Sequence, residues 1–293
     1  MVDLIVLNYN DADTVFEFIG FTQKYSQIDH TVIVDNASSD DSYERLQALG
    51  SDRIHVIRAD DNLGYAGGNN LGIRYALEHF DSEYVIISNP DVFFEERIIP
   101  VMRDALMQRD AACVACKMIC NTQVMPVAWK LPTYKDCVLE QLLILSKIFH
   151  LGTGYRIKEL NGDIAEVEVL PGSLFMADTA KLQEVGFFDE NTFLYYEENI
   201  LGYRLRSKGY KQLIILNESY DHKHSVSIDK SMKSFSHKFE IAYKSRNYYC
   251  RQYLRINKLQ AAWLKLTFRI GLFNFMLAKR ICSGGQVQAN KTN

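Results

Sequence analysis

The segment Asn89-Pro90-Asp91 places an amide and a carboxylate directly after EYVIIS, an apolar run at residues 83–88 that is typical of a buried strand. A carboxylate at the tip of a buried strand is a suitable ligand for a hard divalent cation. Asn, Pro and Asp are also ordinary turn residues. The segment alone therefore leaves both a turn and a ligand site open.

Small polar residues also follow three other apolar runs in the first part of the chain. The segments are LNYND, VDNASSDDS and DDNLGYAGGNN, after or at the ends of the runs at 4–7, 31–35 and 54–57. One such segment is uninformative, because turns favour these residues. Four at the same predicted edge of a sheet favour a nucleotide or phosphate site.

Two acids, Glu197 and Glu198, stand at the start of a helical pattern. Carboxylates are favourable at a helix N-terminus, so helix-dipole compensation explains them as well as acid–base chemistry does. His222 and His224, in YDHKHSVS, follow another apolar run. They are candidates for either a structural or a metal-binding role.

The elements that must position these residues are short β-branched strands alternating with helical patterns. The strands are predicted at 4–7, 31–35, 54–57 and 83–88, and the helices at 14–25, 42–49 and 69–78. Each strand–helix unit spans about thirty residues, which fits βαβ crossovers. The pattern predicts an α/β fold with a mostly parallel central sheet and a ligand site beyond the carboxyl ends of its strands.

Other nucleotide and metal motifs do not fit the chain. The glycines of NLGYAGGNNLGI do not match G-x-G-x-x-G and follow the third strand, and there is no P-loop, so a dinucleotide-dependent oxidoreductase is disfavoured. The three cysteines of CVACKMIC lack a second pair for zinc and predict a buried strand instead. Free thiols without a signal-peptide pattern indicate a reducing cytoplasm.

The C-terminal part is strongly basic. From Lys230 onward there are 13 Lys and Arg residues and one acid, whereas the whole chain carries 33 Lys and Arg against 36 Asp and Glu. Basic residues recur at same-face helical spacings among large apolar ones, at Arg251, Arg255, Lys258, Lys265, Arg269 and Arg280. No stretch reaches the ~18 apolar residues of a spanning helix. The pattern predicts a basic amphipathic extension on an anionic membrane surface; packing on the main body or in a homodimer is the alternative.

Taken in order, VDNASSDDS, NLGYAGGNN, NPDV and GFFDENTFLYYEENILGYRLRSKGY are similar to the motifs of glycosyltransferase family 2, the inverting, nucleotide-sugar-dependent transferases of the GT-A fold. The resemblance covers roughly residues 3–250. The NxGYAGGNN and NPDV forms resemble the bacterial rhamnosyltransferase-like branch. YYEENILGYRL and YKSRNYY resemble capsule and exopolysaccharide transferases.

The resemblance implies a role for each candidate. It assigns a divalent metal (Mn²⁺ or Mg²⁺) to Asp91 and His222, and the nucleotide-sugar to Asn8, Asp35, Asn36, Gly67, Asn69 and Asn89. The family has Asp-x-Asp where this chain has Asn-Pro-Asp, which leaves Asp91 as the one strong ligand of the triplet. The family's base is the second acid of a Glu-Asp pair, a place held here by Glu198, with Glu197 as the competitor.

The acceptor side is implied to include Gly172, Ser173, Glu197 and Trp129, although a lone Trp is also commonly a core residue. The domains expected are a GT-A domain at 1–228 (donor half 1–120, acceptor half 121–228), a helical extension at 229–285 and a disordered end at 286–293.

The predicted function is transfer of a sugar from dTDP-rhamnose or a UDP-hexose to a hydroxyl of a growing, lipid-linked surface polysaccharide. The predicted location is the cytoplasm, peripherally at the inner face of the cell membrane. A non-catalytic nucleotide-sugar-binding scaffold is the alternative. A nucleic-acid partner is disfavoured, because the basic residues of the tail alternate with large aliphatic ones.

Overall fold

The computed structural model describes residues 1–120, 123–125, 128–142, 152–223 and 235–289. The chain divides into two compact units. The first consists of residues 1–131 and 154–233, and the second of residues 132–153 and 234–293. All predicted site residues belong to the first unit.

The first unit is built on a ten-stranded mixed sheet in the order β3-β2-β1-β4-β9-β6-β10-β5, with β7 paired to β6 and β8 to β10. The strands are β1 (Val2–Asn8), β2 (His30–Asp35), β3 (Ile54–Arg58), β4 (Tyr84–Ser88), β5 (Val92–Phe93), β6 (Ala111–Cys120), β7 (Gln123–Val124), β8 (Ile164–Val167), β9 (Leu174–Asp178) and β10 (Lys211–His222). Strands β1 to β4 are parallel, as their apolar runs predicted, whereas β9 is antiparallel to β4 and β6.

Helices cover both faces of this sheet. They are α1 (Ala12–Thr22), α2 (Ser42–Leu46), α3 (Gly64–Phe80), α4 (Ile98–Arg109), α6 (Thr179–Glu184) and α7 (Glu197–Ser207), with short 3₁₀ turns at Gln47–Leu49 and Ile157–Glu159. Alternation along β1 shows why its run is apolar throughout: Leu4 and Val6 pack with α1 and α4 on one face, and Ile5 packs with α3 on the other.

The cysteine-rich run is the central strand β6, as predicted. Cys113, Cys116 and Cys120 are buried and free. Burial raises the pKa of the Cys116 thiol to about 12. These thiols are therefore inert packing groups.

The second unit contains α5 (Tyr134–Leu139), α8 (Phe235–Gln252) and α9 (Lys258–Ala289). The basic residues at same-face spacings do not all share one helix, because α8 ends at Gln252 and α9 begins at Lys258. Arg255 between them has a left-handed backbone, with φ of 51°. Arg251 and Lys265 thus belong to different helices, and side-chain positions beyond Met276 lie outside the described residues.

Parts of other predictions fall on residues that the structure does not describe. The predicted disordered end at 286–293 is described only to Ala289, the last residue of α9. Among the described helices, none is both long and apolar enough to cross a membrane.

Candidate active site

The carboxyl ends of β1 and β2 join two of the predicted donor residues. Asn8 and Asp35 are register partners, and Asn8 Nδ2 donates to Asp35 Oδ1 at 2.8 Å. Asp35 is fully buried and accepts from the Ser38 hydroxyl at 2.6 Å and the Ser38 peptide N–H at 3.0 Å. Arg58 Nε lies 3.7 Å from Asp35 Oδ2. These contacts fix the orientation of the carboxylate at the sheet edge.

Two buried amide oxygens in this region, Asn8 Oδ1 and Asn69 Oδ1, have no hydrogen-bond partner within the described part of the chain. Asn69 lies in α3, where its Nδ2 donates to Tyr65 O at 2.9 Å. A buried polar atom left without a partner costs about 1–3 kcal/mol. Both oxygens are therefore candidates for contact with a ligand.

Asn36 connects the end of β2 to the turn before α3. Its Nδ2 donates to Asn62 Oδ1 at 3.0 Å and to Gly64 O at 3.1 Å, and its Oδ1 accepts from the Leu63 peptide N–H at 3.0 Å. The side chain thus holds the polar turn in place, and its predicted contact with the donor stays a prediction.

The sequence predicts a helix from residue 69, but the helix that carries Gly67 and Asn69, α3, already begins at Gly64. They lie inside its first two turns. A Cβ at position 67 would lie 2.7 Å from Leu63 Cβ, so glycine here allows the helix to pack on the preceding turn. A role for Gly67 toward the donor stays a prediction.

The two predicted metal ligands are brought together by the pairing of β5 with β10. Val92 lies opposite His222 in this antiparallel pair, and the Lys223 peptide N–H donates to Asp91 O at 2.9 Å. As a result His222 Nε2 lies 3.1 Å from Asp91 Oδ1, across 131 residues of sequence, and both side chains are nearly buried. His224 lies outside the described residues.

The surroundings of His222 fit a cation between these two side chains. Its Nδ1 lies 3.3 Å from Met118 Sδ, so both ring nitrogens face hydrogen-bond acceptors. A neutral imidazole has one N–H. With that proton directed to the sulfur, the Nε2 lone pair faces Asp91 Oδ1, an arrangement that suits a divalent cation held by oxygen and nitrogen. Among the described residues, no group of three or more His, Cys, Asp and Glu side chains converges.

Ser173 connects the two predicted metal ligands with the predicted acceptor side. Its carbonyl accepts from the Asn89 peptide N–H at 2.8 Å. Its hydroxyl lies 2.8 Å from the Tyr220 hydroxyl and 3.6 Å from Met118 Sδ, the sulfur that also contacts His222. Ser173 is buried and is therefore a link within the site. Its predicted contact with an acceptor stays a prediction, as does the donor contact of the Asn89 side chain.

The acid pair enters α7 through an unusual backbone. Tyr195 and Tyr196, directly before it, both have left-handed conformations, with φ of 69° and 70°. Such conformations cost about 1–3 kcal/mol each for residues other than glycine and cluster at functional sites. They lead into Glu197, which is 3% exposed, and Glu198, which is half-buried.

Gly172 holds the Glu198 carboxylate against Tyr65. The Tyr65 hydroxyl donates to Gly172 O. A Cβ at position 172 would lie 2.8 Å from Glu198 Oε1 and 2.9 Å from Tyr65 Oη, so the two oxygens fill the space where a side chain would be. The sequence indicated Gly172 for the acceptor side, and the structure brings it to the predicted base.

Burial raises the pKa of both acids. It raises the pKa of Glu198 above its usual range, while backbone hydrogen bonds, including one from Gly172, oppose the rise. Burial and then the Glu198 charge raise the pKa of Glu197 well above its usual range. Glu197 Oε2 is buried without a partner within the described residues. The more exposed Glu198 is better suited to meet a substrate.

Trp129 holds the first turn of α7. Its indole N–H donates to Asn199 Oδ1 at 2.7 Å, and its backbone pairs with Val169 in both directions. The half-buried ring thus supports the helix that carries Glu198. Stacking of this ring on a sugar stays a prediction.

Three residues of the site were not singled out from the sequence: Tyr65, Met118 and Tyr220. Tyr65 lies in NLGYAGGNN, so the motif contained the signal. Met118 and Tyr220 are register partners on β6 and β10, and their position depends on a bulge between Ile215 and Ser219 that carries no clear sequence pattern.

A candidate base at one end of the site and a predicted pair of metal ligands at the other suit group transfer from a phosphorylated donor. Comparison with known proteins identifies the class of transferase. The model of the family described as Glycosyl transferase family 2 matches residues 3–164, more than half of the chain, and the chain belongs to this family. The resemblance seen in the motifs is confirmed, and the protein is a glycosyltransferase.

Two relatives extend the match over most of the chain. The low-salt glycan biosynthesis hexosyltransferase Agl10 of Haloferax volcanii is 26% identical over 245 residues, covering 84% of this chain and 74% of the relative. The N-acetylglucosaminyl-diphospho-decaprenol L-rhamnosyltransferase of Mycobacterium tuberculosis is 23% identical over 251 residues, covering 81% of each chain. The rhamnosyltransferase-like branch is thereby supported.

The fold is also that of a solved structure, S. aureus TarS 1–349. The TM-score is 0.51 at 13% identity, over 87% of this chain and 73% of that one. The expected GT-A fold, a mixed α/β sheet followed by helices, is confirmed.

Proposed function

We propose that this glycosyltransferase moves a rhamnosyl or hexosyl unit from a nucleotide-diphosphate sugar to a hydroxyl of a lipid-linked saccharide. The observation that carries the proposal is the connection of both halves of the site through consecutive residues. Gly172 contacts the predicted base Glu198, and Ser173 connects to Met118 beside the predicted ligand His222. A base and a diphosphate-binding pair must stand on either side of one sugar for such a transfer.

The donor half would bind the nucleotide along the carboxyl ends of β1 and β2. Asp35 is oriented by Asn8, Ser38 and Arg58, and a carboxylate so held would accept a hydrogen bond from a pyrimidine imide. The unpartnered oxygens of Asn8 and Asn69 would accept from other groups of the donor. These contacts support uridine or thymidine as the base.

Asp91 and His222 would hold Mn²⁺ or Mg²⁺, with donor phosphates as further ligands. When bound, the ion neutralises negative charge on the departing diphosphate. The protein's own part is to fix its two ligands through β5–β10 pairing and to exclude water around them by burial.

Glu198 would act as the base that takes the proton of the acceptor hydroxyl. Burial raises its pKa, which makes the ionised carboxylate a stronger base than a free glutamate. The hydroxyl oxygen then attacks the anomeric carbon as the bond to the diphosphate breaks. One displacement inverts the configuration at that carbon.

The names of the relatives support the proposed acceptor class. The mycobacterial relative is named for a diphospho-decaprenol-linked sugar, and the archaeal one for glycan biosynthesis. These names support a lipid-linked saccharide as acceptor. We therefore place the protein peripherally at the cytoplasmic face of a membrane.

The test is a thermal-unfolding panel of UDP-, dTDP- and GDP-sugars, each with and without Mn²⁺. At a donor concentration a hundred times its Kd, the melting temperature should rise by roughly 5–10 °C for one nucleotide in the presence of the ion. Asp91→Ala should abolish the dependence on Mn²⁺. Asp52→Ala removes an exposed carboxylate elsewhere and should behave as wild type. If no nucleotide raised the melting temperature of the wild type, the donor site proposed here would be wrong.

A further inference from the structure

Helix α9 exposes a row of large apolar side chains along one face. The first five side chains of this row follow one another at intervals of four, three, four and three residues, which keeps them on one side of the helix. The apolar row consists of Leu259, Trp263, Leu266, Ile270, Phe273 and Met276, with exposed fractions of 83%, 53%, 46%, 39%, 61% and 48%. Single exposed apolar residues are normal on protein surfaces, but a contiguous row marks an interaction site.

The opposite face of α9 is already packed within the second unit. Leu264 and Thr267 are buried, and Gln141 Nε2 donates to Leu264 O at 3.2 Å and to Thr267 Oγ1 at 3.0 Å. The Phe268 and Tyr243 rings stack with centroids 4.1 Å apart. The helix therefore cannot rotate to bury the apolar row without losing these contacts.

A basic edge runs beside the apolar row. Lys258, Lys265 and Arg269 are exposed and separated by seven and four residues, so they share one side of the helix. Across Lys258–Ala289 the sequence holds five Lys and Arg residues and no acid. A two-fold contact between two copies of this face would bring like charges together, which is unfavourable. The charge instead complements an anionic surface.

We propose that the apolar row and basic edge of α9 form a docking surface for an anionic lipid membrane. The row would lie among the headgroups and upper acyl chains, with the basic edge against lipid phosphates. The docking surface rests on the proposed function and deepens it. It would carry the transferase to the membrane surface where a lipid-linked acceptor is held.

The test is co-sedimentation of the full chain with vesicles of phosphatidylcholine, alone or with one-third phosphatidylglycerol. Wild type should bind the anionic vesicles. Trp263→Ser/Phe273→Ser should weaken binding about a hundredfold, since two large apolar side chains no longer leave water. Lys265→Ser/Arg269→Ser should weaken it about thirtyfold, a factor of about five for each basic residue.

Matched controls remove the same kinds of side chain from the first unit. Met107→Ser/Ile157→Ser removes two exposed apolar residues, and Lys24→Ser/Arg109→Ser removes two exposed cations. Both should bind vesicles as wild type does. Unchanged binding by Trp263→Ser/Phe273→Ser would overturn the proposal. The proposal would also be overturned if sedimentation velocity showed that wild type is a dimer and that Trp263→Ser/Phe273→Ser is a monomer.

The donor-dependent rise in melting temperature is measured on the same preparations. If wild type shows that rise but does not bind anionic vesicles, the docking surface is refuted and the transferase proposal stands. If wild type binds anionic vesicles but shows no donor-dependent rise, the docking surface stands and the transferase proposal is refuted.

Discussion

Gly172→Ala tests the geometry around the proposed base with the smallest change available. The added Cβ would lie 2.8 Å from Glu198 Oε1 and 2.9 Å from Tyr65 Oη. Ordinary van der Waals contacts of a Cβ begin at 3.4 Å, so each oxygen must move by about half an ångström. Displacement by 1 Å costs on the order of a hundredfold in rate, so kcat should fall by about 10- to 100-fold.

The same substitution should have a modest effect on folding. Both obstructing atoms are ends of side chains, so overpacking should cost about 1 kcal/mol and lower the melting temperature by about 2–4 °C. The assay is the initial rate of nucleoside-diphosphate release, with the donor-induced melting shift as a measure of binding. The expected result is a large loss of kcat with donor binding retained.

Gly20→Ala is the matched control. Gly20 lies in α1, and a Cβ there would meet no atom within 4 Å. Ala is favoured over Gly in a helix interior by about 1 kcal/mol, so this variant should be fully active and at least as stable as wild type. If Gly172→Ala kept the wild-type kcat, the idea that Gly172 positions the carboxylate of Glu198 would be refuted.

Two further predictions concern protonation. The raised pKa of Glu197 means that the folded state retains a proton that the unfolded state has lost, so stability should fall as pH rises from the usual glutamate pKa through the raised one. Glu197→Gln should show a smaller fall in thermal unfolding as the pH rises above the usual glutamate pKa; an unchanged fall would assign the effect to other groups. Glu198 must be ionised to act as a base, and burial raises its pKa, so the initial rate should increase with pH through a midpoint above that of a free glutamate. A midpoint at or below the value of a free glutamate would contradict the buried setting of this carboxylate.

The parallel half of the fold was predictable because its signal is local. Leu4, Ile5 and Val6 are apolar in succession since β1 is covered on both faces, and the same is true of β2 and β4. The polar segments at the strand ends identified the functional edge for the same reason: parallel strands bring their carboxyl ends together.

The remainder of the candidate site depends on contacts between residues that are distant in sequence. Tyr65 meets Gly172 across 107 residues, and Asp91 meets His222 through β5, a strand of two residues that is too short to show a periodic pattern. Family motifs named most of these positions but not the contacts that orient them. Met118 was interpreted only as part of a buried strand.

The break between α8 and α9 is a second feature that the sequence pattern does not predict. The residues there, YLRIN, continue a helical pattern of apolar and basic residues and contain neither Gly nor Pro. Arg255 nevertheless adopts a left-handed backbone that sequence does not signal. The apolar row of α9 became visible only after this break separated its face from that of Arg251.

The most direct test of the account is transfer by Glu198→Gln. Nucleoside-diphosphate release and the anomeric configuration of the product are measured with the donor that raises the melting temperature and a panel of polyprenyl-diphosphate-linked saccharides. Wild type should give an inverted product, and Glu198→Gln should transfer at a rate about 10²- to 10⁴-fold lower with donor binding intact. Transfer at the wild-type rate by Glu198→Gln, or retention of configuration, would contradict it.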